Sequence, residues 1–150
     1  MSYIRDLRKY VGHQPLIMVS AAAIMIKENR ILLQKRTDLN CWAIHGGALE
    51  LGEKIEDAMK REVKEEIGLT PTVFQFFKVF SGEEFKIKYP NEDIVYLVDN
   101  IFIVSKWTGE IKLDLNEVLE VKWFELDEIP WDSLISHNVL ILKEYIARNR

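Results

Sequence analysis

The chain has 150 residues, 48% of them hydrophobic, enough for one domain with its own core, expected to span 1–150. Its net charge of −4 argues against stable nucleic-acid binding, which generally needs a basic face, and its single cysteine, Cys41, excludes an intrachain disulfide scaffold. No signal-type apolar stretch opens the chain, and its longest apolar run, Leu16 to Ile26, is interrupted by Ser20 and too short for a bilayer. A cytoplasmic protein without a membrane segment is expected.

In chain order, Ile4, Leu7 and Val11 sit at helical spacing, and Gly12 can end that helix. Leu16 to Ile26 suits a buried strand, with a hairpin turn at Asn29 leading into a second strand, Ile31 to Gln34. Thr37 to Asn40 reads as a polar loop, and Gly46-Gly47 as a tight turn that permits close backbone approach. A helix follows and stops at Gly68. Val73 to Phe80 reads as a strand, Ser81 to Asp93 as a polar loop with a turn at Pro90-Asn91, then Ile94 to Val104 and Val118 to Phe124 as strands. A closing helix is expected over Asn138 to Arg148, with Val139, Leu142, Tyr145 and Ile146 on one face. Strands mixed with two substantial helices predict an α/β or α+β layered domain.

The helix before Gly68 carries charge in an unusual place. Ile55, Ala58, Met59, Val63 and Ile67 form one apolar face at about 100° per residue. Glu62 and Glu66 project within that arc, and Glu65 lies on its border. Each like-charged neighbour pair costs about 0.2–0.5 kcal/mol, and partial burial adds to it. A solvated acidic face would interleave both signs, whereas Arg61 and Lys64 are expected on the side away from the acids. A hard divalent cation bound by carboxylate oxygens would offset the repulsion.

Spacing sharpens the reading. Gly47, Glu53, Arg61-Glu62-Val63, Glu65-Glu66 and Gly68-Leu69 fall at the fixed positions of the Nudix box, so the chain resembles the Nudix (MutT-like) hydrolases. The flanks agree: Ile31 to Gln34, Arg36 and Trp42 lie upstream, and Trp123-Phe124 with Asp127-Glu128-Ile129-Pro130 downstream. The resemblance implies a mixed sheet sandwiched between helices, with the box as loop-helix-loop. It implies hydrolysis of a nucleoside diphosphate linked to another group: a nucleoside diphosphate sugar, ADP-ribose or a (d)NTP. It also implies metal ligation by Glu62, Glu65, Glu66 and the Gly46 carbonyl. Oxygen ligands favour Mg²⁺ or Mn²⁺ over zinc.

Arg61 is expected to hold a carboxylate through its planar fork, with Glu53 as partner. The general base varies in the family. Glu117 is the first candidate outside the box and Glu120 the second, with Glu62 or Glu66 as alternatives and solvated loop acids as the plain reading. Arg36 and Tyr89 are candidates for substrate binding. Phe76, Phe77, Tyr96 and Trp123 could also stack on a base, although core packing is the commoner role. His45 stands where relatives usually have proline; it is either a tolerated loop substitution or a titratable group near the phosphates. Cys41 reads as a packing residue, with nothing to activate it.

Two other classes compete. A nucleotide-binding regulator that lost catalysis is opposed by the complete acid set. A prenyl diphosphate isomerase would need a catalytic cysteine, and Cys41 is in the wrong context. No proline falls at the distance after the box that marks many ADP-ribose enzymes, and the coenzyme A motif is incomplete. Substrates therefore stay open within small nucleoside diphosphate derivatives. Related proteins are often dimers, so a homodimer is open too, though no interface is marked.

Overall fold

The computed structural model describes residues 2–149. Its elements are α1 (Tyr3–Val11), β1 (Leu16–Lys27), β2 (Arg30–Arg36), β3 (Trp42–Ala43), β4 (His45–Ala48), α2 (Ile55–Ile67), β5 (Thr70–Phe80), β6 (Lys86–Lys88), β7 (Ile94–Thr108), β8 (Val118–Glu125) and α3 (Ser136–Arg148). The strands form a mixed sheet in the order β3-β2-β1-β7-β5, with β4 also on β1, β6 on β7 and β8 on β2. β1 runs parallel to β7 from Leu16↔Val95 to Met25↔Val104 and antiparallel to the others it touches. The mixed α/β sandwich expected from the sequence is present.

Period-two alternation builds both faces. On β1, Ala21, Ala23 and Met25 face one side together with Leu32, Phe102 and Val104, and α2 covers them with Ala58, Met59, Val63 and Ile67. Ala22 and Ile24 face the other side with Ile31, Leu33, Ile101 and Ile103, where α3 contributes Ile141, Leu142, Tyr145 and Ile146. Among the described residues no helix is long and apolar enough to cross a membrane.

One edge of β1 serves two strands in succession. β4 pairs with Ser20 to Ala23, and β2 with Met25 to Lys27. The β1–β2 hairpin turns through Glu28 (φ 51°) and Asn29 (φ 63°). Between the diverging β2 and β4, the end of α2 meets the sheet.

Several expectations need correction. Gly46-Gly47 is not a turn but part of β4; the glycines serve the close approach alone. Ser81 to Asp93 is not simply polar loop: a short 3₁₀ turn and β6 bury Phe85 and Ile87. Those two apolar side chains sit among charges, too sparse for a strand pattern. β5 begins at Thr70, through bulges that absorb its irregular alternation. The closing helix begins two residues earlier than expected, at Ser136.

Candidate active site

α2 positions the acids. Glu56 and Asp57 occupy its first turn and Lys64 its last, complementing the helix dipole. Gly68 ends it in the left-handed conformation, φ 84°, where the loop from Gly109 crosses it closely. The Lys112 N–H donates to the Ile67 carbonyl at 2.9 Å and the Asp114 N–H to the Glu66 carbonyl at 3.0 Å. That loop leads to Glu117, whose own carbonyl accepts from the Thr37 N–H at 3.0 Å. Main-chain hydrogen bonds thus fix the loop acid to both α2 and the end of β2.

A cleft of about 340 Å³ opens there, lined by Gln34, Arg36, Thr37, Asp38, Gly46, Gly47, Glu62, Glu66, Asn116 and Glu117. Glu66 is 8% exposed, and its Oε1 accepts from Gln34 Nε2 and the Gly46 N–H, both at 3.1 Å. Burial first, then the Glu62 charge, hold its carboxyl well above the usual range. Glu62 is raised too, by burial first, with Arg61 opposing. Its carboxylate lies directly over Gly47: a β-carbon there would be 2.5 Å from Glu62 Cδ. Glu117 stands at the mouth, raised by desolvation and then by Asp114. Glu65 is at the rim, outside the cleft lining, on the exposed side of α2.

Arg61 does not point away from the acids as its helical position suggested. Its long side chain folds back along the helix. Nε and Nη2 donate to the two Glu53 oxygens at 2.7 and 2.9 Å, and Nη2 to the Ala48 carbonyl at 3.0 Å. Nη1 reaches Glu62 at 2.8 Å and Glu65 at 3.3 Å. Glu53 is held below the usual carboxylate range by the Arg61 hydrogen bond, against the burial that opposes it. Among the described residues no three carboxylate, histidine or cysteine side chains converge as a ready cation cluster. Arg61 between Glu62 and Glu65 accounts for part of that spread. The donor set nonetheless suits a hard cation, being all oxygen, and the space that a Gly47 β-carbon would fill is taken by a carboxylate.

Arg36 is held by Asp38 in a two-bond fork, 2.9 and 2.6 Å. It also lines a second, smaller pocket of about 60 Å³ on the α3 side of the sheet, with Tyr89, Ser20, Asp99, His137 and Asn138. Arg36 and Tyr89 are therefore brought together at the smaller pocket, and only Arg36 of the two also lines the cleft. Phe77 packs against Tyr145, Trp123 stacks on Trp107, and Tyr96 lies under Lys86; none of them, nor Phe76, lines either space. Glu120 pairs across β8 with Lys35 and is exposed, outside the cleft.

His45 is a buried strand residue rather than a loop substitution. Its Nε2 donates to the Leu32 carbonyl at 2.9 Å, and burial lowers its pKa to about 4. It is neutral core, not a group titrating near phosphates. Gln34, Asp38, Asp99, His137 and Asn138 escaped the sequence reading. A polar residue ending the Ile31-Leu32-Leu33-Gln34 run, and an acid inside the Ile94 to Val104 run, were the available signals.

The model of the NUDIX domain matches residues 16–143. The chain belongs to the Nudix family. This Nudix hydrolase is 34% identical over 146 residues to an ADP-ribose pyrophosphatase of Methanocaldococcus jannaschii, covering 95% of the chain and 80% of the relative. It is 30% identical over 125 residues to an 8-oxo-dGTP diphosphatase of Buchnera aphidicola, covering 81% and 87%. Among solved structures it is similar to a MutT NUDIX hydrolase from Burkholderia pseudomallei, with TM-score 0.72 and 27% identity over 87% of the chain and 97% of that structure. As a Nudix hydrolase it is an enzyme of phosphoanhydride bonds.

Proposed function

We propose that the chain is a single-domain, metal-dependent pyrophosphohydrolase that cleaves a nucleoside diphosphate linked to a further group. The carrying observation is the buried Glu66, facing one cleft with Glu62 and Glu117 and, among the described residues, with no lysine or arginine bonded to it. Buried carboxylates without a cationic partner are costly unless a ligand offsets them. Bound Mg²⁺ or Mn²⁺ would neutralise the diphosphate and acidify water. Glu62, Glu65, Glu66 and the Gly46 carbonyl hold it in this reading. Arg61 would keep Glu53 and the Ala48 carbonyl as partners if Glu62 and Glu65 held a cation. Glu117 takes the proton of the attacking water; desolvation raises its pKa, which makes its carboxylate a stronger base. Arg36, oriented by Asp38, steers the phosphate chain, and Tyr89 walls the adjoining pocket.

The named activities of the two relatives differ but share a nucleoside phosphoanhydride. The test is a panel of ADP-ribose, nucleoside diphosphate sugars and (d)NTPs including 8-oxo-dGTP, with Mg²⁺ or Mn²⁺, scored by the product released. Release of a nucleoside monophosphate that stops on chelation is expected. Binding of panel members without any product would instead fit a nucleotide-binding regulator.

A further inference from the structure

The smaller pocket holds a carboxylate that the hydrolytic chemistry does not use. Asp99 lies on the α3 face of β7, opposite Ser20 in the parallel register, and is only 3% exposed. The Ser20 hydroxyl donates to its Oδ1 at 2.9 Å, and no lysine, arginine or histidine bonds it among the described residues. Its neighbours along that face are apolar: Met18 and Ala22 on β1, Leu97 and Ile101 on β7. Nearby Arg36 is already forked onto Asp38. His137, from the first turn of α3, lines the same pocket with Nδ1 buried and unpartnered. A buried acid and a buried ring nitrogen, both short of partners in one pocket, call for a ligand with polar hydrogens.

The pocket adjoins the cleft through Arg36, Gly46 and Gly47, so a group attached to the diphosphate can reach it. Its walls combine apolar side chains, Met18, Ala22, Ile87 and Leu97, with the few polar groups already named and with Tyr89, and its small volume admits the edge of a flat ring. Resting on the hydrolase reading above, we propose that Asp99, oriented by Ser20, is the specificity-determining residue that accepts a hydrogen bond from an amino group of the substrate's nucleobase. Adenine, cytosine and guanine carry such a group. Uracil and thymine present carbonyl oxygens on either side of one N–H, and those oxygens face the carboxylate unfavourably. A site built to bond a polar hydrogen strongly rejects an analogue that lacks it, because the buried acceptor is then left unpaired.

The measurement is calorimetric binding of AMP, CMP, GMP and UMP to the full chain with Mg²⁺, beside ribose 5-phosphate as a sugar-only arm. At least one amino-bearing nucleotide should bind about tenfold or more tightly than UMP, the range expected of a hydrogen bond to a charged acceptor. Asp99→Asn should bring that ratio within about threefold, since an amide offers a donor as well as an acceptor. Ser20→Ala keeps the carboxylate but frees its orientation, and should lower the ratio by about threefold; it decides the matter if Asp99→Asn does not fold. UMP binding as tightly as the best amino-bearing nucleotide overturns the inference. So does an unchanged ratio in a folded variant, or ribose 5-phosphate binding as well as the nucleotides. Monophosphate release from the substrate panel is scored separately. Turnover without base preference would sink this inference alone, whereas Asp99-dependent preference without turnover would sink the hydrolase reading alone.

Discussion

Gly46 and Gly47 are adjacent in β4, yet adding one methyl group to each should damage different things. Neither needs a positive φ, so alanine suits both backbones. At Gly46 the new β-carbon would lie 2.4 Å from the Ala21 carbonyl oxygen and 2.5 Å from Ala22 Cβ. Those atoms belong to the central strand and cannot yield without parting β1 from β4. Overpacking a rigid interior costs typically 1–3 kcal/mol, and a backbone clash belongs at the top of that range, about 3 kcal/mol. For a domain this size that lowers Tm by roughly 6–12 °C. At Gly47 the atoms nearest the methyl would be those of the Glu62 carboxylate, at 2.5–2.7 Å. A flexible side-chain end can swing aside, so Gly47→Ala should cost less than ~1 kcal/mol, a few degrees at most. The displaced group is a proposed cation ligand, however, and misplacing a reacting constellation by about 1 Å costs ~10²-fold in rate. Chemical denaturation of both variants without metal, and hydrolysis across a Mg²⁺ titration, give the two readouts. A Gly47→Ala variant with wild-type kinetics and Mg²⁺ demand, or a Gly46→Ala variant with wild-type stability, would refute the reasoning.

Glu66→Gln should lower kcat by orders of magnitude while apo stability holds or rises, because the amide oxygen can still accept from Gln34 and Gly46 without a buried charge; preserved turnover with a large fall in apo Tm would make Glu66 structural. Arg61→Lys keeps the charge but loses the fork on Glu53, so the Mg²⁺ concentration for half-maximal rate should rise about 10–100-fold, and no rise would remove Arg61 from the site. Glu117→Gln should lower kcat by ~10²–10⁴-fold with the acidic limb of its pH profile gone, and Glu120→Gln should be silent; wild-type kinetics in both would leave the chemistry to the α2 acids. Burial lifts Asp99 from 3.8 to about 6, so the folded state binds its proton more tightly than the unfolded state does. Its contribution is fully present below pH 3.8 and lost as pH rises through 6, so Asp99→Asn should be more stable than wild type by a few kcal/mol at pH 8, with the gap closing by about pH 4. Neutral, buried His45 and His137, both lowered to about 4, push wild-type stability the other way in that window, so the difference between the two proteins, not either melt alone, is the measurement.

The acid helix was legible because its signal is local. Glu62 and Glu66 share a helical face with Val63 and Met59, and helix periodicity alone shows it. The central strands were legible for the same reason, as long apolar runs. What could not be read depends on long-range pairing. β3 and β4 together span Trp42 to Ala48, too short and too rich in small residues for a strand pattern, and exist only because β1 and β2 supply partners. Arg61 was misplaced because periodicity locates a β-carbon, whereas a long side chain can carry its charge a full turn away. Asp99 and His137 meet only when β7 and α3 pack, from positions far apart in the chain.

The clasp between the end of α2 and the Gly109–Glu117 loop separates position from identity. Main-chain atoms of Ile67, Glu66, Lys112, Asp114 and Thr37 make those hydrogen bonds, and no side chain is consulted at Glu117. Whatever residue occupies that place is presented to the same spot above the acids. The loop is thus a holder indifferent to what it holds: the side chain at that place can be exchanged without rebuilding the backbone beneath it. A substitution at Glu117 leaves those main-chain bonds in place, so its effect reports on the reach and chemistry of the new side chain and not on a change in the fold.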